Sequence, residues 1–251
     1  MCNHKGGTGK TTSVLNIGAA AGLAGLKVLL VDLDPQGFLS RMVSLDEPRP
    51  EASSAAFFSA SFTKSRLVPA AFNGFDVIPA SRALTKRMRM LNRPTDHLWV
   101  KESVMEYDSY DLVVLDTAAA ATVFSLGAMV AATLLLIPVT PEIQPVHGAE
   151  SACESARIVR KTLNPDLPGP HFLLTQVDAR KRAHHHYGHY LRNRYGHRVL
   201  RSVIRTNAAL ARAYDSGKTV FECDTRSRGA QDYANAADEV LRILGLTLAK
   251  V

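Results

Sequence analysis

A chain of 251 residues with 46% apolar and 21% charged side chains has the make-up of a water-soluble globular protein, with length enough to bury a sizeable core. No apolar run reaches the roughly 18 residues a membrane span needs; no basic, then apolar, leader opens the chain; and three scattered cysteines without a C-x-x-C suggest neither a disulfide framework nor a zinc or iron–sulfur site. The net charge of +7 is regional, because residues 180–228 hold twelve Lys and Arg against Asp215, Glu222 and Asp224, a balance of +9 that leaves the rest at −2.

The segment Asn3 to Thr12, Asn-His-Lys-Gly-Gly-Thr-Gly-Lys-Thr-Thr, runs into the apolar-periodic Val14, Leu15, Ile17, Ala20 and Ala21. Gly6, Gly7 and Gly9 let the backbone turn its N–H groups inward around Thr8, and the helix that follows aims its positive dipole end at the same spot. Lys10 offers a mobile charge to β- and γ-phosphates and Thr11 a hydroxyl to magnesium, with Thr12 completing the loop, so a nucleoside triphosphate is the expected ligand. A dinucleotide fingerprint is excluded, since it would need glycine at Thr12. Only Met1 and Cys2 precede Asn3, whereas a phosphate loop ordinarily follows a buried strand of about four to six residues. Two readings stand: a start upstream, or a short central strand in a weakened sheet.

Gly25 ends the first helix, and Lys27 to Asp34 is an apolar run ending in acid, as in a parallel strand buried on both faces. Ligands of open α/β sheets sit at the carboxyl ends of strands, which places Asp32 and Asp34 beside the phosphate loop. Residues 48–69 read as a short helix in a surface excursion. Gly74 to Ala80 is a strand, and the basic segment Ser81 to Arg93 a solvated helix packed on the sheet. Tyr110 to Thr117 is a further buried strand ending in acid, a Walker B box in which Asp116 would hold magnesium through a water. Leu134 to Thr140 is the next strand, a helix follows from Pro145 to Leu163, and His171 to Asp178 is again a strand. His184, His185 and His186 cannot all face one ion on a helix, and read as a solvated basic segment. Arg198 to Arg205 alternates as a half-buried strand, a helix runs through Tyr214, and Gly229 to Leu246 forms a closing amphipathic helix. This βα alternation, without a long polar linker, predicts one doubly wound α/β domain over residues 1–251, mostly parallel and flanked by helices.

The spelling K-G-G-x-G-K-[ST] from Lys5 to Thr11 resembles the deviant Walker A box of the ParA and MinD family of P-loop ATPases. V-D-L-D-P-Q-G around Asp32 and Asp34 is similar to that family's Walker A′ box, and Ile204 to Tyr233 to the C-terminal third of ParA proteins. The chain departs from the family at Ala118 to Ala121, where prolines are usual. The resemblance implies that Lys5 reaches across an ATP-sandwich dimer to the partner's nucleotide, that Asp34 positions the attacking water, and that Asp32 serves the magnesium shell. It also implies a cytoplasmic, nucleoid-associated ATPase that dimerises on ATP, binds duplex DNA without sequence preference and leaves it after hydrolysis. A ParB-like or other stimulating partner would accompany it. Arg192, Arg198, Arg201, Arg205 and Arg212 are the expected DNA contacts, Arg192 by its match to a family contact position. No helix-turn-helix precedes the loop, which argues against operator binding. Iron–sulfur relatives lack support for want of paired cysteines, and a metabolic ligase would need neither Lys5 nor the basic third. A MinD-like, membrane-associated positioning ATPase is the alternative, resting on the apolar tail from Val240 to Val251.

Overall fold

The computed structural model describes residues 1–59 and 67–246. Lys10–Leu23 forms α1, and the apolar run after it forms β1, Val28–Asp32, with every residue buried. A strand apolar along its length must be covered on both faces, and alternation achieves this: Leu29 and Val31 join one core cluster, Val28 and Leu30 another. On its edges β1 pairs in parallel with β3, Phe75–Ile78, and with β4, Leu112–Asp116. The register sets Asp32 opposite Asp116, so two acids lie side by side at the carboxyl end of the sheet. β2, Ala70–Phe72, is an antiparallel partner of β3, with Phe72 stacked on Phe75 at 5.5 Å.

A second set of parallel strands holds β5, Leu136–Val139, β6, His171–Val177, and β7, Val199–Arg205. Strand order is β2-β3-β1-β4 in one set and β5-β6-β7 in the other. Between them runs the segment that precedes the phosphate loop. Cys2 N–H donates to the Leu136 carbonyl at 3.2 Å, and the Met1 ammonium donates to the Leu115 carbonyl. Met1 and Cys2 thus bond to one set each, at the end nearest the phosphate loop. Helices cover both faces: α2, Phe38–Met42, α3, Ala83–Met90, α4, Trp99–Met105, α5, Val123–Ala131, and α6, Ile143–Thr162. The C-terminal third adds α7, Arg182–Tyr195, α8, Ala208–Asp215, α9, Val220–Cys223, and α10, Arg228–Ile243.

The phosphate-loop helix is held from behind by the end of the chain. The Ser13 hydroxyl meets the Tyr233 hydroxyl of α10 at 3.2 Å, and Asn16 Oδ1 accepts the Val220 N–H of α9 at 2.9 Å. The described part of residues 48–69 differs from the expected surface excursion. Ser54–Phe58 is a 3₁₀ turn that drives Phe57 and Phe58 into the core beside β1 and α5, because the turn is tied to the sheet by the Ser54 hydroxyl on the Asp32 carbonyl. Residues 60–66 of that stretch lie outside the described residues, as do 247–251 of the tail on which the membrane-associated alternative rests. The basic segment is α3, whose Leu84 alone is buried. Within the histidine run, His184 departs from the solvated reading. It is buried, its Nδ1 accepts the Asp178 N–H at 3.0 Å, and its Nε2–H therefore points to Glu142 at 3.0 Å. Among the described residues no helix is long and apolar enough to cross a membrane.

The closest backbone approach gives a test of the packing. Gly22 in α1 lies against the β2–β3 turn so tightly that a Cβ there would sit 1.6 Å from the Gly74 carbonyl oxygen. Backbone cannot rotate aside as a side chain can, so Gly22→Ala should destabilise the chain by about 3 kcal/mol. Gly25→Ala, at φ +94° but with open space around it, should lose only about 1 kcal/mol. Urea midpoints compared at equal denaturant dependence check the order.

Candidate active site

The turn before α1 is shaped by carbonyls pulled away from its concave side. Gly7 and Gly9 have φ of +74° and +76°, a region where a side chain would strain the backbone. The Thr175 hydroxyl at the end of β6 donates to the Thr8 carbonyl at 2.8 Å, and the Gln176 amide donates to the Gly7 carbonyl at 2.6 Å. Asn3, fully buried, donates to the Pro138 carbonyl of β5 at 2.9 Å and accepts the Lys5 N–H at 3.0 Å. Gly148 of α6 lies close by, where a Cβ would meet Asn3 Oδ1 at 2.6 Å. With carbonyls engaged on the outside, the loop is left presenting N–H groups. Gly9 caps α1 without a side-chain cap, and no acid stands in the first turn, so the helix dipole faces the loop unopposed.

Lys10 is 8% exposed and its ammonium donates to the Lys5 carbonyl at 3.0 Å, across the mouth of the loop. Burial holds its pKa below the ordinary lysine value, against the attraction of Asp116, Cys2 and Asp34. Lys5 itself is exposed. Asp116 is fully buried and neither carboxylate oxygen has a hydrogen-bond partner; the Thr11 hydroxyl lies alongside, near enough to favour the charged form but outside hydrogen-bond geometry. Burial pushes the Asp116 pKa up to about 6. Asp32 stands at about 7, raised by burial and then by the facing Asp116. Its oxygens are engaged by the Asp34 N–H at 3.1 Å and by the Ser40 N–H and hydroxyl at 3.0 and 2.7 Å. Asp34 is partly exposed on the next turn, accepting the Gln36 N–H at 2.9 Å.

Lys5, Lys10, Thr11, Asp32, Asp34 and Asp116 are therefore brought to one end of the sheet. An orphaned buried carboxylate beside a threonine hydroxyl and a lysine is a donor set of hard oxygens that fits a magnesium ion and a polyphosphate. Asn3, Ser40, Thr175 and Gln176 were not legible in the motifs. Of these, Gln176 alone carries a structural mark, φ +52° in a non-glycine residue.

The basic third is less uniform. Arg205 forms a bidentate pair with the buried Asp232 of α10, and Arg212 lies 3.6 Å from Asp224. Arg198 folds its guanidinium over Gly169, and Arg192 donates one N–H to the Leu200 carbonyl at 3.2 Å. Arg192, Arg198 and Arg201 are exposed without an acidic partner among the described residues, at the ends of α7 and β7.

The AAA domain family model AAA_31 matches residues 1–168. The chain is 31% identical to the chromosome-partitioning ATPase Soj of Thermus thermophilus over 242 residues, covering 96% of this chain and 94% of that one. It is 30% identical to the sporulation initiation inhibitor protein Soj of Bacillus subtilis over 245 residues, covering 96% of both. Among solved structures, cobyrinic acid a,c-diamide synthase from Mycobacterium smegmatis, with bound ATP analog and magnesium, superposes with a TM-score of 0.83 at 28% identity. The match covers 97% of this chain and 93% of that one.

Both buried aspartates have folded-state pKa values above their unfolded ones. Their contribution to stability is complete below about pH 4 and is lost as the pH rises through about 6 for Asp116 and about 7 for Asp32. The ligand-free Asp116→Asn chain should therefore outlast its parent in urea by a few kcal/mol at pH 8, the advantage shrinking towards pH 4. Parallel urea melts across that range check the sign.

Proposed function

Starting from a chain that belongs to the Soj/ParA family of partition ATPases, we propose a single ATPase domain that couples magnesium-dependent ATP hydrolysis to the segregation of DNA or of a DNA-guided cargo. The chain is an ATPase, and ATP with magnesium is its ligand. The observation that carries the reading is the buried, unpartnered Asp116 carboxylate set beside Thr11 and Lys10 at the head of α1.

Lys10 leaves the Lys5 carbonyl to meet the β- and γ-phosphates, while the loop N–H groups between Gly6 and Thr12 cradle them. Thr11 and Asp116 would hold magnesium, which neutralises charge on the phosphate oxygens as the γ-phosphoryl departs. Asp34, partly exposed beside these groups, orients the attacking water. Asp32 acts one layer back, fixing through Ser40 the loop that carries Asp34. Lys5, exposed on the rim, serves the nucleotide of a second copy, so that ATP joins two chains. The joined pair doubles the exposed arginines at the ends of α7 and β7, and this surface binds duplex DNA without reading sequence, since phosphate contacts carry no base information. The setting is the cytoplasm, on the nucleoid, with a ParB-like or other stimulating partner.

Lys10→Ala should abolish ATP binding. Asp34→Ala should bind ATP and lose about a hundredfold or more in turnover, and parent-like turnover in that variant would remove Asp34 from the water-positioning role. Light scattering on the Asp34→Ala chain should show a dimer with ATP that Lys5→Ala abolishes, whereas a dimer indifferent to Lys5 would overturn the shared site.

For DNA, roughly three or four arginines on each of two subunits should give a log–log salt slope of about −5 to −7 with any duplex. Arg192→Glu with Arg201→Glu should weaken binding evenly and flatten the slope, leaving ATP turnover without DNA intact. Fluorescence anisotropy with ATP is the measurement. Absent binding at low salt would move the reading to the membrane-associated alternative, to be followed with anionic vesicles.

A further inference from the structure

The phosphate loop is clasped by two separate stretches of chain. Its leading residues lie on α6: the Asn3 amide donates to the Pro145 carbonyl at 3.4 Å, the His4 N–H donates to the Gly148 carbonyl at 3.3 Å, and a Cβ at Gly148 would come within 2.8 Å of Lys5 Cβ. Gly7 and Thr8 lie instead on the end of β6, held by Gln176 and Thr175. β5 leads into α6 and β6 into α7, and these strands pair in parallel from Leu136 with His171 to Val139 with Leu174. Pro145, Gly148, Thr175 and Gln176 all lie beyond that ladder, where the sheet no longer fixes one chain against the other.

One side chain spans the gap. His184, in the first turn of α7, has 2% of its side chain exposed. Its Nδ1 accepts the Asp178 N–H, just past Gln176, and its Nε2–H donates to Glu142, the residue before α6, each at 3.0 Å. The neutral imidazole with its hydrogen on Nε2 is the form that makes both bonds, because Nδ1 faces an N–H. Glu142 is itself fixed to the helix, its carbonyl accepting the Val146 N–H at 3.1 Å. β7 steadies the other turn from its far side, where Thr206 gives its N–H to the Val177 carbonyl and its hydroxyl to the Gln176 carbonyl, both at 3.1 Å. The left-handed backbone of Gln176 is thus held between β7 and His184, and such a conformation persists only where its surroundings fix it.

Packing alone does not account for the residue. An apolar side chain would fill the same buried space with no polar group to desolvate, so an imidazole is tolerated here because both nitrogens are engaged. The Lys181 ammonium also reaches Glu142 at 3.0 Å, but its side chain is 55% exposed, and an ion pair so open to water contributes little.

We propose that His184 is a positioning residue for the phosphate loop. Its imidazole fastens the turn carrying Thr175 and Gln176 to the head of α6, so that the two clasps act on the loop as one body. The inference rests on the reading of Gly6 to Thr12 as the phosphate cradle, and adds to it a residue that acts through Asp178 and Glu142.

The test is a double-mutant cycle on the full chain, read as the dissociation constant of a fluorescent ATP analogue with magnesium. His184→Leu, which fills the space and drops both bonds, and Gln176→Ala should each weaken binding about fivefold to tenfold. Together they should weaken it no more than the stronger of the two, since one acts through the other. Turnover by His184→Leu at saturating ATP should stay within about twofold of the parent, as expected when a clasp on the bound nucleotide is lost. His184→Asn keeps an acceptor for Asp178 and His184→Gln a donor for Glu142. Each leaves one end of the tie, so both should bind as weakly as His184→Leu, and they carry the cycle if that chain does not fold. Additive losses, parental affinity in any of the three His184 variants, or lowered turnover at unchanged affinity would overturn the proposal. Lys10→Ala is the control: parental affinity there would remove the cradle reading itself, whereas its loss of binding beside an additive cycle would remove only the role of His184.

Discussion

Two carboxylates placed opposite each other in neighbouring parallel strands, away from water, are the constraint around which this molecule is arranged. The register of β1 with β4 leaves Asp32 and Asp116 no choice of position, and their mutual repulsion adds to the cost of burial. The groups nearby answer that cost unequally. Asp32 is met by three hydrogen bonds from the following loop, which keeps it in place as a strut. Asp116 has the Thr11 hydroxyl alongside and the charges of the Met1 ammonium and Lys10 near by, none of them in hydrogen-bond geometry, and so retains oxygens able to take a further cation. One register thus leaves two chemically identical side chains in different surroundings, Asp32 held by hydrogen bonds and Asp116 without them.

The loop above them is set by what happens to its carbonyls. Lys10 takes that of Lys5, Gln176 that of Gly7 and Thr175 that of Thr8. The Thr175 and Gln176 bonds draw acceptors to the outside of the loop, so the cradle is made by turning oxygens away as much as by presenting N–H groups. Gln176 holds a left-handed backbone to do this, a conformation that costs a non-glycine residue about 1 kcal/mol or more and that persists where the surroundings fix it. The end of β6 therefore belongs to the phosphate site as fully as the glycines do.

The sequence made the chemistry legible where residue type and spacing are dictated together. Gly7, Gly9, Lys10 and Thr11 can be read because few other arrangements satisfy a phosphate, and Asp32 and Asp116 because an acid ending a wholly apolar run has few other meanings. Asn3, Ser40, Thr175 and Gln176 are common polar residues whose work depends on partners up to 169 positions away, and no local pattern marks them. The same limit hid Phe57 and Phe58, which sit among serines and alanines with no periodicity, and His184, whose burial follows from α7 packing near Glu142. The +9 balance was plain in composition, yet only side-chain partners distinguish Arg205, engaged by Asp232, from Arg201.

The contacts behind α1 bear on the order in which the molecule can be made. The helix that carries Lys10 and Thr11 leaves a ribosome well before its seat does, since it is held by Tyr233 and by the N–H of Val220, 220 and 204 positions downstream of Ser13 and Asn16. At a synthesis rate of about 5–20 residues per second, that gap is of the order of ten seconds or more. During this time the phosphate loop exists without the surface that fixes its helix. The seat of the phosphate-loop helix is therefore completed only once Tyr233 has been made, long after the loop itself.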